Sequence, residues 1–397
     1  MARWLLLTWD GAGNQAPMTA LAQALAARGD AVTVAGYTHQ RERFDAAGFA
    51  FRTLPRASAR YPVAPPPEGW MAVLPGAVWA SPDHAADLAE LLEGEAYAGV
   101  VADCLMFGAL AALEESGTPA AVLVHSAPGA LVPRGGPMDG LLLPSVNALR
   151  ARTSRPPLGA LQDAWRPFLT LCTSIRELDP APASFTYTGP LIPAQPESGR
   201  RGPWAADDPR PLVLAGFSTG PAWDQTSRVQ RTLDGLADGP YRVLATTALT
   251  RTSGLRVPGN AAVEPWIPHP EVLPHAAAVV THAGHGTLAA ALTYGVPVVC
   301  LPNPEADQPA LARRVADLGA GIALDGETAT PAQIAEAVRT VVHTPSYAAS
   351  AAALAARLAQ APGPEGAAAR LAELAARGVA GPDPLSQPAL RDGTARR

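Results

Sequence analysis

The chain contains no lysine: its 30 basic residues are all arginine, against 35 acidic residues and a formal net charge of −5. The arginines are scattered rather than clustered. That leaves no basic stripe for nucleic acid and no polybasic tract for an anionic membrane. Cysteine is scarce as well. Cys104, Cys172 and Cys300 all lie in or beside apolar segments with no CxxC pair, so they read as small core residues in a reducing compartment. The eight histidines show no metal-ligand spacing, and there is no DxD-type carboxylate pair. Long apolar runs are missing too. The N-terminal stretch Met1 to Thr8 is too short for a signal peptide or a membrane span and reads as a buried first strand. These features point to a cytoplasmic protein, monomeric or homodimeric, without membrane insertion.

What is present is a well-cored globular chain. Hydrophobic residues make up 48% and charged residues 16% of 397 positions, more than one core usually organises. Strand-like runs at 3–8, 31–37, 98–102, 119–124 and 168–172 alternate with helical stretches such as 17–28. TYTGPLIP at 186–193 closes this half, and a Pro-, Gly- and Ser-rich segment at 194–210 reads as a linker. The pattern then restarts at 211–216, 241–247, 261–266, 276–282 and 296–302. Residues 330–376 are helical almost throughout, and 381–397 read as a frayed tail. Such alternation predicts α/β architecture: two Rossmann-like, doubly wound parallel-sheet domains, 1–193 and 211–380, facing a cleft.

The richest segment runs from Trp266 to Gly319. A strand ends at His282, a turn Ala283-Gly284-His285-Gly286 follows, and Thr287 opens a helix. Backbone N–H groups in such a turn approach an anion closely, and the helix start adds its partial positive charge. A diphosphate can be gripped this way without a lysine. Taken alone, a strand, glycine turn and helix also fit any tight loop of an α/β protein.

The whole string resembles the C-terminal signature of the UDP- and TDP-sugar glycosyltransferases that modify small molecules. The family pattern W-x-P-Q, H-G-G-x-G-T, G-V-P, D-Q and R-V is met here by Trp266-Ile267-Pro268-His269, His282 through Thr287, Gly295-Val296-Pro297, Asp307-Gln308 and Arg314-Val315. The resemblance extends through LTLCTSIRELDP, YTGPL and LVLAGFSTG, and implies the two-domain glycosyltransferase B (GT-B) fold. By matching position it implies that Trp266, with Ile267 beside it, lines or stacks on the pyrimidine. His282, Gly284, Gly286 and Thr287 would contact the phosphates. Asp307 and Gln308 would bind hydroxyls of the donor sugar, and Ser218 and Thr219 the diphosphate or ribose. The co-substrate is then a UDP- or TDP-sugar, with no other cofactor and no metal. The acceptor is a small, largely apolar molecule met by the stretch Tyr61–Trp79, including Trp70, and by Phe107, His125, Ser126 and Met138.

The pattern breaks at one place. Where the family carries a catalytic histidine in G-H-x-x-P, this chain reads Gly13-Asn14-Gln15-Ala16-Pro17, and an amide accepts no proton near neutral pH. Asp103, after a strand, matches the family's orienting aspartate. Three readings follow. Another group takes the proton, Asp10 first, then Asp103 or His125. Or the acceptor needs little help, as a phenol or an activated carbon would. Or the protein binds without catalysing. The bland alternatives are that Asp10 braces the loop, that Asp103 caps the next helix and that His125 is a satisfied, half-buried imidazole. A two-domain sugar-nucleotide epimerase shares the architecture, but the loop and the W…HxGxGT…DQ string disfavour it.

Overall fold

A computed structural model describes the chain except residues 12, 62–69, 153, 196–198, 200–201, 206, 218–223, 249, 251, 305 and 379–397, and the side chains of 70 and 71. Two parallel sheets form the frame. The first holds β1 (Arg3–Leu7), β2 (Ala31–Gly36), β3 (Ala50–Thr53), β4 (Gly99–Asp103), β5 (Ala120–Val124), β6 (Leu169–Cys172) and β7 (Thr186–Tyr187), in spatial order β3-β2-β1-β4-β5-β6-β7. The second holds β8 (Leu212–Gly216), β9 (Arg242–Thr246), β10 (Ala261–Glu264), β11 (Ala276–Thr281), β12 (Val298–Cys300) and β13 (Gly321–Ala323), in order β10-β9-β8-β11-β12-β13. The central strands are apolar on both faces: β4, β5 and β8 are buried at every residue. This is the pattern of a parallel sheet covered by helices on each side.

In each sheet the chain order reverses beside the first strand, between β1 and β4 and between β8 and β11. Open α/β sheets bind ligands in the crevice beyond the strand C-termini at such a switch point. The loops after β1, β4 and β5, and those after β8 and β11, are therefore the places to look for chemistry.

All three cysteines are free and buried, as their apolar settings predict. Two short edge strands, β3 and β13, escape the sequence reading. The helical run at 330–376 is three helices, Pro331–His343, Pro345–Leu358 and Gly363–Arg377. Pro345 and the Pro362-Gly363 pair interrupt it, because proline cannot continue a helix beyond its first turn.

The last of these helices revises the domain boundary drawn at residue 380. It leaves the second domain and packs on the first, where Ala367, Ala368 and Leu371 join Met18, Leu21 and Leu25 of α1 (Gln15–Ala27) in one core. The crossing passes Gly189, whose neighbour Thr188 ties into the return: Gly363 N–H donates to Thr188 O at 2.7 Å. Gly189 has φ +76°, and a Cβ there would meet the Ala361 methyl at 2.5 Å, so the glycine of TYTGP serves the crossing. Leu371 is fully buried. Leu371→Ala is expected to cost about 2–4 kcal/mol, the range for removing a buried leucine, and the loss should appear as a lowered urea midpoint of the N-terminal domain.

Candidate functional site

The C-terminal half of the site is a helix start. β11 ends at Thr281, and α2 (His285–Thr293) begins after Gly284. The N–H groups of His285, Gly286 and Thr287 stand in the first turn, where a helix offers no internal acceptor. Three buried polar atoms around this turn also have no partner among the described residues: Thr281 Oγ1, His282 Nδ1 and His285 Nε2. Burial, and then the Arg228 charge, push His282 down to about 4, with only partial offset from the Gly216 backbone. Burial, and then the charge on His125, bring His285 to about 4 as well. Both rings are thus neutral at pH 7, and the positive potential at the turn comes from the helix dipole.

The glycines of the turn divide by role. A Cβ on Gly284 would lie 2.2 Å from His282 Nε2, so this glycine makes room for the imidazole. A Cβ on Gly286 would meet nothing within 4 Å, so its bareness serves no packing need and leaves the space over the helix start open. Ala283 takes the left-handed conformation at φ +62°, where the family pattern carries glycine; its buried methyl accompanies that strain.

Asp307 and Gln308 begin α3 (Gln308–Asp317). Asp307 occupies the N-cap position but makes no side-chain cap bond. Its Oδ2 instead accepts from Ser126 Oγ at 2.5 Å, across the cleft from the first domain. Burial raises its pKa above the ordinary 3.8, against the Ser126 hydrogen bond and the His125 charge. Gln308 Oε1 accepts from both the N–H and the Nδ2 of Asn303, at 3.0 and 2.8 Å. This fixes the amide flip and leaves Nε2 as a donor with no partner among the described residues. Asn303, after β12, is a positioning residue that the motif reading missed. Trp266 is 50% exposed, which excludes a core role. Ile267 is the reverse: at 1% exposure it belongs to the second domain's core, so any donor contact from it is through backbone. Ser218 and Thr219 lie outside the described residues.

The N-terminal half centres on Asp103, at the end of β4 and fully buried. Oδ1 accepts from Trp9 Nε1 and Leu105 N–H, both at 3.0 Å. Oδ2 accepts from Asn14 Nδ2 at 3.2 Å and from His125 Nδ1 at 2.9 Å. Burial alone would raise this carboxyl; the charge and hydrogen bond of His125, with the Leu105 and Asn14 donors, outweigh it and hold it below the ordinary 3.8. For His125, burial opposes the charged ring, but Asp103 and the nearby Cys104 sulfur outweigh it and keep the imidazole well above 6.5. Asp103, Cys104 and His125 are also the group among the described residues whose donor atoms lie close enough, within 4.8 Å, to suit a metal. Each Asp103 oxygen already accepts two hydrogen bonds, so the arrangement fits an aspartate–histidine pair better than an ion site.

The remaining expectations sort differently. Asn14 is buried; it donates to Trp9 O at 2.9 Å, Thr8 Oγ1 at 3.4 Å and Asp103, and accepts from Gly11 N–H at 3.1 Å. Its amide braces the first loop, with Nδ2 fully committed as a donor. Asp10, the sequence's first choice for a base, pairs with His39 at 3.0 Å and with Gln15 Nε2, and shares none of the Asp103 contacts. Phe107 is 1% exposed and part of the first domain's core, against which Met138 packs half-buried; neither is placed as an open pocket wall. The Trp70 side chain and residues 62–69 fall outside the described residues. Near the first loop, the two ends of the predicted acceptor stretch, Tyr61 and Trp79, meet aromatic rings that the sequence reading did not single out, His39 and Trp9. Trp9 meets Trp79 edge-on at 6.0 Å, and His39 stacks on Tyr61 at 5.1 Å.

Comparison with known proteins gives this site its context. Residues 230–374 match the family described as "Erythromycin biosynthesis protein CIII-like, C-terminal domain". The chain is 33% identical over 195 residues to UDP-glycosyltransferase 2 of Phaeomoniella chlamydospora, a match spanning 45% of this chain and only 42% of that relative. It is 28% identical over 407 residues to 4'-demethylrebeccamycin synthase of Lentzea aerocolonigenes, covering 89% of this chain and 94% of the relative. The crystal structure of the glycotransferase of kitacinnamycin superposes with a TM-score of 0.75 at 20% identity, over 94% of this chain and 98% of that one. Residues 230–374 thus match the model of that C-terminal domain family, and the chain as a whole has the two-sheet GT-B fold of the glycosyltransferase structures it superposes on.

Proposed function

We propose that this protein is an inverting glycosyltransferase that moves a hexose or deoxyhexose from a UDP- or TDP-sugar to a small hydrophobic natural-product acceptor, through O or C. The observation that carries the reading is the start of α2. First-turn N–H groups with no acceptor inside the helix, two unpartnered buried histidine nitrogens and the open space over Gly286 converge at the switch point of the second sheet. A diphosphate seated there is met by aligned dipoles, which stabilise the charge that develops as it leaves. Gln308 Nε2 and the Asp307 carboxylate, a donor beside an acceptor, suit the vicinal hydroxyls of a sugar. Trp266, exposed beyond β10, offers its face to the pyrimidine. The helix start neutralises the leaving group without an ion, so the reaction is proposed to be metal-independent and insensitive to EDTA. Among the described residues no helix is long and apolar enough to cross a membrane, and a cytoplasmic location is proposed with the rest.

The test is incubation of the purified protein with UDP-glucose or TDP-glucose and a panel of phenols, read by mass spectrometry for the glycoside. Binding of nucleotide without any glycoside across the panel favours the auxiliary-protein reading, which the amide at position 14 supports. Trp266→Ala is expected to weaken UDP or TDP binding about 5- to 100-fold in calorimetry, since stacking on an aromatic side chain is worth about 1–3 kcal/mol per base.

A further inference from the structure

Asp103 holds an amide from the first loop on one side and an imidazole from the end of β5 on the other. Asp103 and His125 lie 22 residues apart, yet they end adjacent parallel strands: Asp103 pairs in register with Leu123, two residues before the histidine. Asp103 accepts from Nδ1, which fixes both the ring plane and the tautomer, because a carboxylate can only accept. His125 Nε2 then points the other way. Among the described residues it has no hydrogen-bond partner, and the side chain keeps 12% exposure. The next residue, Ser126, reaches Asp307 at 2.5 Å, which places this strand end against the sugar-binding helix start of the opposite domain. Asn14 occupies the other hydrogen bond on Asp103 Oδ2 with an amide that takes no proton.

We propose that His125, oriented by Asp103, is the catalytic base of the transfer, its Nε2 taking the proton of the acceptor hydroxyl. The inference rests on the glycosyltransferase reading. In the step, an acceptor oxygen lone pair forms the bond to the anomeric carbon. The bond from that carbon to the diphosphate oxygen breaks, and its electron pair leaves with the nucleotide. The acceptor proton passes to Nε2, making an imidazolium that Asp103 stabilises through Nδ1–H. Asp103 is a positioning residue: it holds the ring and raises its basicity. Because only the neutral ring accepts a proton, activity rises as pH climbs through the elevated histidine pKa.

The experiment compares the wild-type chain with His125→Gln and Asp103→Asn, using UDP-glucose or TDP-glucose, whichever the wild type turns over. Two acceptors are used at pH 8: 4-methylphenol, which arrives protonated, and 4-nitrophenol, which arrives largely ionised. A positioned base is worth about 100- to 10,000-fold, so His125→Gln should lose at least about 100-fold in kcat/KM on 4-methylphenol. On 4-nitrophenol, which needs no base, the loss should stay below about 5-fold, and calorimetric binding of UDP or TDP should match the wild type. Asp103→Asn should move the acidic limb of the kcat/KM profile to lower pH. Equal losses on both phenols, or under about 3-fold loss on 4-methylphenol, overturn the assignment while leaving the glycosyltransferase reading intact. A wild-type chain that glycosylates neither phenol nor any other acceptor in the panel overturns that reading itself, and this inference falls with it. A misfolded variant is recognised by loss of nucleotide binding; for that case His125→Asn serves as the second variant under the same criteria.

Discussion

Asp103→Ala is expected to destabilise the N-terminal domain by about 3–5 kcal/mol, the cost of removing one partner from a buried ion pair. The side chain is an acceptor for four donors drawn from four places in the chain: Trp9, Leu105, Asn14 and His125. Each buried donor left without an acceptor costs about 1–3 kcal/mol. Urea unfolding followed by tryptophan fluorescence reads the change. A shift below about 1 kcal/mol, the scale of an exposed pair, would show that solvent reaches the group. The same pair makes stability depend on pH in a definite direction. His125 is held above 6.5 in the folded state, so between 6.5 and its folded pKa the native protein binds more protons than the unfolded chain. Stability from this pair is therefore complete below about 6.5 and declines as pH rises through the folded pKa. Asp103, held below 3.8, acts at the other end: its contribution is present above 3.8 and lost as pH falls through its depressed pKa. Asp103→Asn should flatten both limbs.

Gly286→Val should abolish donor binding while leaving the fold in place. Nothing lies within 4 Å of a Cβ at this position, so the β-carbon has room and the main expected cost to folding is helix propensity, under about 1 kcal/mol. It would, however, occupy the space over the first-turn N–H groups. Hydrogen bonds to a charged partner are worth about 1.5–3 kcal/mol each, and loss of two of them weakens UDP or TDP binding by roughly 100- to 10,000-fold. Calorimetry against UDP and TDP, with circular dichroism as the control, checks both halves. Unchanged affinity would place the diphosphate elsewhere. Gly284→Ala separates the two glycine roles: its Cβ would strike the buried His282 ring, so that variant should lose stability as well as affinity.

Much of this architecture was legible before any coordinate. The buried strands β1, β4, β5, β8 and β11 are short apolar runs bounded by turn residues, and their alternation with helices fits only a parallel sheet. The helix-start site was legible because its chemistry is local: a strand end, a glycine turn and a helix follow one another within a few residues. Edge strands β3 and β13 were not, since a three- or four-residue segment with mixed burial carries too little periodicity. Asp10 attracted attention by its nearness in sequence to Asn14, but its carboxylate turns to His39 and Gln15.

Amino-acid order alone therefore settled the fold class, the two-domain plan and the strand, glycine turn and helix start at 281–287, because each depends on interactions among residues close together in the chain. Tertiary structure decided which helix returns to which domain, which side chain Asp307 meets, and which imidazole Asp103 holds. Those outcomes arise from parallel strand register and from the packing of one sheet against elements contributed by the other half. Strand neighbours 22 residues apart bring Asp103 to His125, and no local pattern of side chains encodes that meeting.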